Sequence, residues 1–197
     1  MKNTALYLLI FSAALLIPVH ASSVDDATSH SEKIILGSGC FWGAEKGYEA
    51  MPGVIDAVSG YADGNGVRPT YREITKLKNK FNVNNHAEVV EVTYNTNLIS
   101  TEELLMHYFE SHDPTQINKQ GNDVGTQYRS IILYSTDQQK QAVDQVLGSY
   151  QGLLTAAGYG EIATLVKPIQ KFYKAEKYHQ DYIANNPNGN CPDHSTG

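Results

Sequence analysis

Ile34-Ile35-Leu36 is a short apolar run that ends in glycines, and it predicts a buried strand over Lys33–Ser38. Ala44–Met51 has helical spacing and is stopped by Pro52-Gly53, after which Val54–Tyr61 is β-like. Ala62–Asn85 is rich in Gly, Asn and Lys and is expected to be mostly irregular. His86–Tyr94 alternates clearly. As a strand it places Glu88, Val90, Val92 and Tyr94 on one face and Glu91 and Thr93 on the other. Ser100 and Glu103 form a capping box for a helix reaching Ser111, which His112-Asp113-Pro114 ends. Thr115–Gly125 is a polar loop, and Gln127–Tyr134 is a strand centred on Ile131-Ile132-Leu133. Thr136 caps a helix over Asp137–Ser149, Ile162–Val166 is a strand ended by Pro168, and Ala175–Ile183 forms one or two helical turns. From Asn185 the Asn-, Pro- and Gly-rich tail is mobile by composition. Strands and helices mix without βα alternation or internal repeat. The expected class is therefore α+β, a two-layer sandwich in which helices cover a mixed open sheet.

The two ends read differently. Lys2 precedes an uncharged run from Ala5 to Val19, and Val19-His20-Ala21 offers small residues at the two positions read by a signal peptidase. The run is shorter than the roughly 20 residues of a spanning helix, so a cleaved export signal over residues 1–21 is expected rather than an anchor. Residues 22–32 are a polar lead-in, 33–184 the domain, and 185–197 the tail. Across the 197 residues, 15 Lys and Arg against 21 Asp and Glu give a charge of −6, and loss of the leader with its one Lys gives −7. With 41% hydrophobic residues a wholly disordered chain is excluded, and without a basic run nucleic acid is not an expected partner. Export places the protein in an oxidising, secreted or periplasmic compartment, with no membrane attachment after cleavage.

Two cysteines, Cys40 and Cys191, exclude a disulfide-framework miniprotein and an all-cysteine zinc site. Cys40 follows a strand, sits behind two glycines and precedes a helix, whose unpaired N–H groups and dipole favour thiolate. The alternative is a small buried hydrophobe. Gly37-Ser38-Gly39 does not open a dinucleotide fingerprint, because Trp42 stands where the third glycine belongs. Phe41 and Trp42 can wall an apolar pocket beside the thiol or belong to the core. Glu88, carried on an apolar face, is desolvated and its pKa is expected to rise, the property of a proton donor. The alternative is a strand-edge carboxylate reaching solvent. Tyr71 and Tyr128 border polar loops. His107 and His112 are five apart, without the spacing of a helical metal pair, and are expected to be satisfied surface histidines. Cys191 is either half of a structural staple or a resolving thiol on a mobile arm, and its Pro-, Gly- and Asn-rich setting favours the arm.

Gly39-Cys40-Phe41-Trp42-Gly43 resembles the signature of the peptide methionine sulfoxide reductase A family. The similarity continues through Pro52-Gly53-Val54, Gly60-Tyr61-Ala62, Pro69-Thr70-Tyr71 and His86-Ala87-Glu88-Val89-Val90. It also takes in His112–Thr115, the long block Gln120–Ser130, and Ala175–Tyr182, so it spans residues 33 to 183. The resemblance implies that family's ferredoxin-like α+β fold. It implies Cys40 as the attacking thiol, Glu88 as proton donor aided by Tyr71 and Tyr128, and Asp123 ordering the polar side of the pocket. Phe41 and Trp42 would hold the substrate's S-methyl group, and Cys191 would be the resolving thiol. Substrates would be oxidised proteins and free methionine S-sulfoxide, reduced by a monomer that needs no metal or organic cofactor and takes electrons from a thioredoxin-like protein or a dithiol.

Four departures stand out. The link Thr75–Asn85 is longer and more basic than the usual Ser-Gly-x-Thr-Gly-like one, and the placing of Tyr71 depends on it. Asn85 stands where a glycine is usual, and Asp63 replaces another common glycine, a change expected to be harmless. One tail cysteine, where some relatives carry two, leaves no two-step relay. Two other readings remain: a cysteine hydrolase using Cys40 with His86 as base, and a non-enzymatic domain with a permanent Cys40–Cys191 bridge.

Overall fold

The computed structural model describes residues 30–66 and 68–187. The expected leader and Cys191 lie outside the described residues. Among the described residues, eight strands and five α-helical segments follow one another as β1 (Ser31–Ser38), α1 (Phe41–Glu49), β2 (Val54–Ala62), α2 (Tyr71–Ile74), β3 (Ala87–Asn95), α3 (Thr101–Glu110), β4 (Lys119–Gln120), β5 (Asp123–Val124), β6 (Ser130–Tyr134), α4 (Asp137–Ala156), β7 (Leu165–Pro168), β8 (Phe172–Lys174) and α5 (Tyr182–Asn185). Six strands form one sheet in the order β7-β6-β1-β3-β2-β8. All neighbours are antiparallel except β6 and β7. The sheet is therefore mixed, and α4 is the crossover that makes its one parallel pair possible.

The core follows from strand alternation. Ile34 and Leu36 of β1, Val90, Val92 and Tyr94 of β3 and Ile132 of β6 face one side, where α1, α3 and α4 bring Phe41, Tyr48, Leu104, Leu105, Phe109 and Val143 against them. Ile35, Val89, Ile131 and Leu133 point to the other side, covered in part by Ile169 and Phe172. The result is the expected two-layer α+β arrangement.

Differences from the sequence pattern have local causes. Helix α4 runs seven residues past the predicted Ser149, to Ala156. Its buried positions Val143, Val146, Tyr150 and Leu154 keep helical spacing through Gly148 and Gly152, which have open space around them. Each glycine costs about 1 kcal/mol, less than the roughly 1.5–3 kcal/mol from burying a side chain such as Leu154. Strand β7 is shifted to Leu165–Pro168 and includes its proline, tolerated because β7 is at the sheet edge. The three-residue β8 carried no sequence signal. It is recruited by pairing with β2, Gly60 opposite Lys174. The polar loop after Pro114 contains the small β4–β5 hairpin. The C-terminal turns are split at Asp181, whose φ of 52° is left-handed. His112 corrects the surface expectation: it is wholly buried, held by the Tyr108 carbonyl and Ser130 Oγ at 2.7 Å each. His107 is half-buried against the Tyr48 ring.

Asp63 is more than a harmless replacement. Its φ is 57°, the region that suits glycine and, next best, Asp or Asn. Its carboxylate accepts from Arg129 Nη2 at 3.0 Å and from Lys167 Nζ at 2.9 Å. Arg129 is buried, and burial pulls its pKa down while Asp63 opposes the shift. Asp63→Gly would relieve on the order of 1 kcal/mol of backbone strain but take the counter-ion from a buried guanidinium, at about 3 kcal/mol, leaving it only the carbonyls of residue 63 and Thr126. The variant is expected to be net destabilised by about 2 kcal/mol, read as a lower urea midpoint at unchanged m.

Candidate active site

Cys40 occupies the N-cap of α1, with φ −62° and ψ 119°. The turn that leads to it needs two glycines for separate reasons. Gly39 has φ 100°, which L side chains rarely adopt. A Cβ on Gly37 would lie 2.8 Å from Ile131 Cγ2 and 3.0 Å from the Glu88 carbonyl, so β1 approaches its neighbours closely only with glycine there. The helix therefore starts directly at Phe41, three residues earlier than the pattern suggested. The thiol is half-buried at the positive end of a nine-residue helix.

Glu88 lies next to this helix end. It is the second residue of β3, 2% exposed, on the same face as Val90, Val92 and Tyr94. Its Oε2 accepts from the Phe41 N–H at 3.3 Å. The strand-edge alternative, a carboxylate reaching solvent, is thereby excluded.

Tyr71 and Tyr128 converge on the same place. Tyr71 begins α2, where Thr70 caps the turn by accepting from the Glu73 N–H at 3.3 Å. Tyr128 ends the 3-10 turn Thr126–Tyr128. Both phenols feel the charges of Glu88, Cys40 and Asp123. Burial, followed by the Glu88 carboxylate, pushes Tyr71 up to about 12 and Tyr128 well above its ordinary value. Both therefore stay O–H donors through the neutral range. Tyr71, Asp123 and Tyr128 wall a cleft of about 470 Å³. The long link after Tyr71 does not displace it. Asn85, buried where a glycine is usual, donates through its amide to the Ile74 carbonyl at 2.9 Å and fixes the loop from inside.

Phe41 is almost wholly enclosed, its ring 5.9 Å from that of Tyr61 and 5.0 Å from that of His179. Trp42 is half-buried. Its indole stacks on Tyr182 at 3.6 Å and donates from Nε1 to His179 Nδ1 at 3.0 Å. Those partners belong to a C-terminal strap whose contacts no periodicity announced; only the resemblance over Ala175–Tyr182 marked it. Glu176 accepts from the Tyr61 hydroxyl at 2.7 Å and from the Tyr71 N–H at 3.0 Å. Burial opposes these bonds, yet together with His179 they hold its carboxyl below the usual range. Gln180 donates to the Ser59 carbonyl at 3.0 Å. Buried Glu45 of α1 accepts from the N–H groups of Ser59 and Asp181, at 2.9 Å each. The strap thus ties the helix carrying Cys40 to the turn carrying Tyr71.

His86 stands apart from this group. It is buried edge-on against Tyr173, in a second cavity with Asp63 and Lys167, and burial, then Arg129, lowers its pKa. That environment does not make a Cys40–His86 dyad. Among the described residues no cluster of three or more His, Cys, Asp or Glu could hold a metal ion.

Residues 32–196 match the family model described as peptide methionine sulfoxide reductase. A peptide methionine sulfoxide reductase MsrA of Corynebacterium kroppenstedtii is 45% identical over 169 residues, covering 83% of this chain and 74% of that one. Methionine sulfoxide reductase A of Corynebacterium diphtheriae superposes with a TM-score of 0.76 at 42% identity, over 85% of this chain and 81% of that one. Mxr1 from Saccharomyces cerevisiae, solved in complex with Trx2, superposes with a TM-score of 0.55 at 27% identity, over 84% of this chain and 89% of that one. With residues 32–196 matched by the family model and the fold shared with these proteins over more than four fifths of its length, the chain belongs to the peptide methionine sulfoxide reductase family.

Proposed function

We propose that the protein reduces methionine S-sulfoxide to methionine in three balanced steps. Cys40 attacks the sulfoxide sulfur while Glu88 gives a proton to its oxygen. The sulfur–oxygen bond breaks, methionine leaves, and Cys40 holds the oxygen as a sulfenic acid. Cys191 condenses with that sulfenic acid, forming a disulfide and releasing water. A dithiol donor then reduces the bridge by exchange, regenerating both thiols.

The observation that carries this reading is the meeting of a buried carboxyl, two protonated phenols and a thiol at one helix N-terminus. A sulfoxide oxygen leaves only when protonated, so the site must supply an acid. Removing a carboxyl from water penalises its charged form, which suits Glu88 to that task. The Phe41 N–H can be accepted by the carbonyl oxygen of the neutral acid, leaving the other oxygen to carry the proton. Tyr71 and Tyr128 donate to the oxygen as its charge develops. Phe41 and Trp42 supply an apolar wall for the methyl group, and Asp123 orders the phenols from the polar side.

The Mxr1–Trx2 complex supports a thioredoxin-like donor for this chain. Residues 1–21 serve as an export signal, so that donor acts outside the cytoplasm. Incubating the chain with a peptidyl methionine S-sulfoxide and dithiothreitol should yield one methionine per dithiol oxidised. Absence of methionine would overturn the reading. The R-sulfoxide should not be consumed.

A further inference from the structure

The loop after α2 turns large apolar side chains into solvent beside the cleft that Tyr71 and Tyr128 wall. Leu77, Phe81 and Val83 are 85%, 70% and 77% exposed, and Ile117 is 74% exposed. The loop is nevertheless firmly held. Asn85 reaches the carbonyls of Ile74 and Asn79, Thr126 Oγ1 donates to the Asn79 carbonyl at 3.1 Å, and the Thr126 N–H donates to the Lys80 carbonyl at 2.8 Å. Apolar side chains displayed together on an anchored loop are the mark of an interaction surface.

Two clefts meet there. Leu77, Lys80 and Val124 border the cleft that Tyr71 and Tyr128 wall. Val83 and Ile117 border another, of about 290 Å³, which runs to Leu165. Thr126 borders the second cleft and Gln127 the first, so the Lys80–Thr126 hydrogen bond is the bridge between them. Charge adds direction. Lys76 and Lys78 pair with Glu73, and Lys80 Nζ lies 5.7 Å from the centre of the Phe81 ring. Against a chain of net charge −6, residues 75–85 carry three Lys and no Asp or Glu. Exposed pairs of this kind are worth little, so the lysines can exchange partners readily.

We propose that loop 75–85 and the cleft bordered by Val83 and Ile117 dock the polypeptide around a methionine sulfoxide, taking an apolar neighbour of that residue. Acidic residues beside it are drawn by Lys76, Lys78 and Lys80. The extended substrate crosses the Lys80–Thr126 bridge with its apolar neighbour in the second cleft and its sulfoxide past Tyr71 and Tyr128, at Cys40. This rests on the reductase reading and adds to it a preference for apolar and acidic residues flanking the methionine sulfoxide.

The test compares three S-sulfoxide substrates, with dithiothreitol as donor: a blocked single methionine sulfoxide, a pentapeptide with Leu and Asp flanks, and one with Gly and Ser flanks. The native chain is expected to show a kcat/KM about tenfold higher on the Leu/Asp peptide than on the Gly/Ser peptide, an advantage reduced by salt. Phe81→Ser/Val83→Ser/Ile117→Ser should abolish that preference and leave the blocked amino acid unaffected, which also shows that the variant folds. Equal kcat/KM of the native chain on the two peptides would overturn the proposal, as would an equal fall on all three substrates in the variant. A defect seen only when thioredoxin replaces dithiothreitol would assign the surface to the donor and overturn it too. If the native chain reduces none of the three, the reductase reading itself fails and takes this proposal with it.

Discussion

Cys40→Ser is expected to abolish turnover, with kcat falling on the order of 10⁴-fold or more, as when other covalent nucleophiles are removed. A hydroxyl at this N-cap would still meet the helix dipole, but it ionises far too weakly to attack sulfur at neutral pH. The fold should be untouched, because Ser is among the preferred N-cap residues. Cys191→Ser should behave differently. It keeps a single turnover, observed as one methionine per chain with Cys40 trapped as sulfenic acid, but it does not cycle with a thioredoxin-like donor. A Cys191→Ser variant that cycles normally with that donor would remove the resolving role. A Cys40–Cys191 bridge that resists mild reductant in the native protein would favour the structural staple.

Glu88→Gln is expected to lower kcat by about 10²–10⁴-fold, the usual worth of a positioned proton donor. The amide has the same shape and can still accept from the Phe41 N–H, 3.3 Å from the carboxyl, so the loss is chemical rather than structural. The pH profile separates the two. The acid form of Glu88 is the competent one, so activity falls as pH rises through its ionisation. The Cys40 thiol acts in the opposite sense, since its thiolate attacks. Tyr71 cannot supply the alkaline fall below its own value of about 12, and Tyr128 lies higher still. Burial disfavours phenolate at both, so they remain donors across the working range. In the variant the alkaline fall should vanish and only the rise due to the thiol remain. Retention of more than a tenth of native kcat would show that another group protonates the oxygen.

Much of this site was legible in the sequence because its parts obey local rules. The alternation of β3 placed Glu88 with Val90 and Val92 before any coordinates did, and the Ser100 capping box with Glu103 is present as expected. Gly39 and the turn at Cys40 follow from the conformations open to glycine. Other features depended on contacts between distant segments, which no window of sequence contains. His112 looked like a surface residue because the partner that buries it, Ser130, is 18 positions away. Asp63 looked neutral because Arg129, just before β6, and Lys167, on β7, meet it only when those strands and β2 are in one sheet. The C-terminal strap was visible only as a resemblance. Its bonds to Tyr61, Tyr71 and Glu45 span more than 100 positions. The loop after α2 shows a third case, where an unusual stretch looked like a threat to Tyr71. Asn85 instead provides the internal anchor that a glycine lacks.

The stacking of Trp42 on Tyr182 has a consequence for observing the protein at work. The chain has a single Trp, and that indole is in van der Waals contact with a phenol ring on the last helical turn before the tail that bears Cys191. Its emission is therefore a native optical gauge of whether this clasp is shut. Any stage of the redox cycle that pulls the C-terminal segment toward Cys40 has to be read against it, with no label added to the molecule.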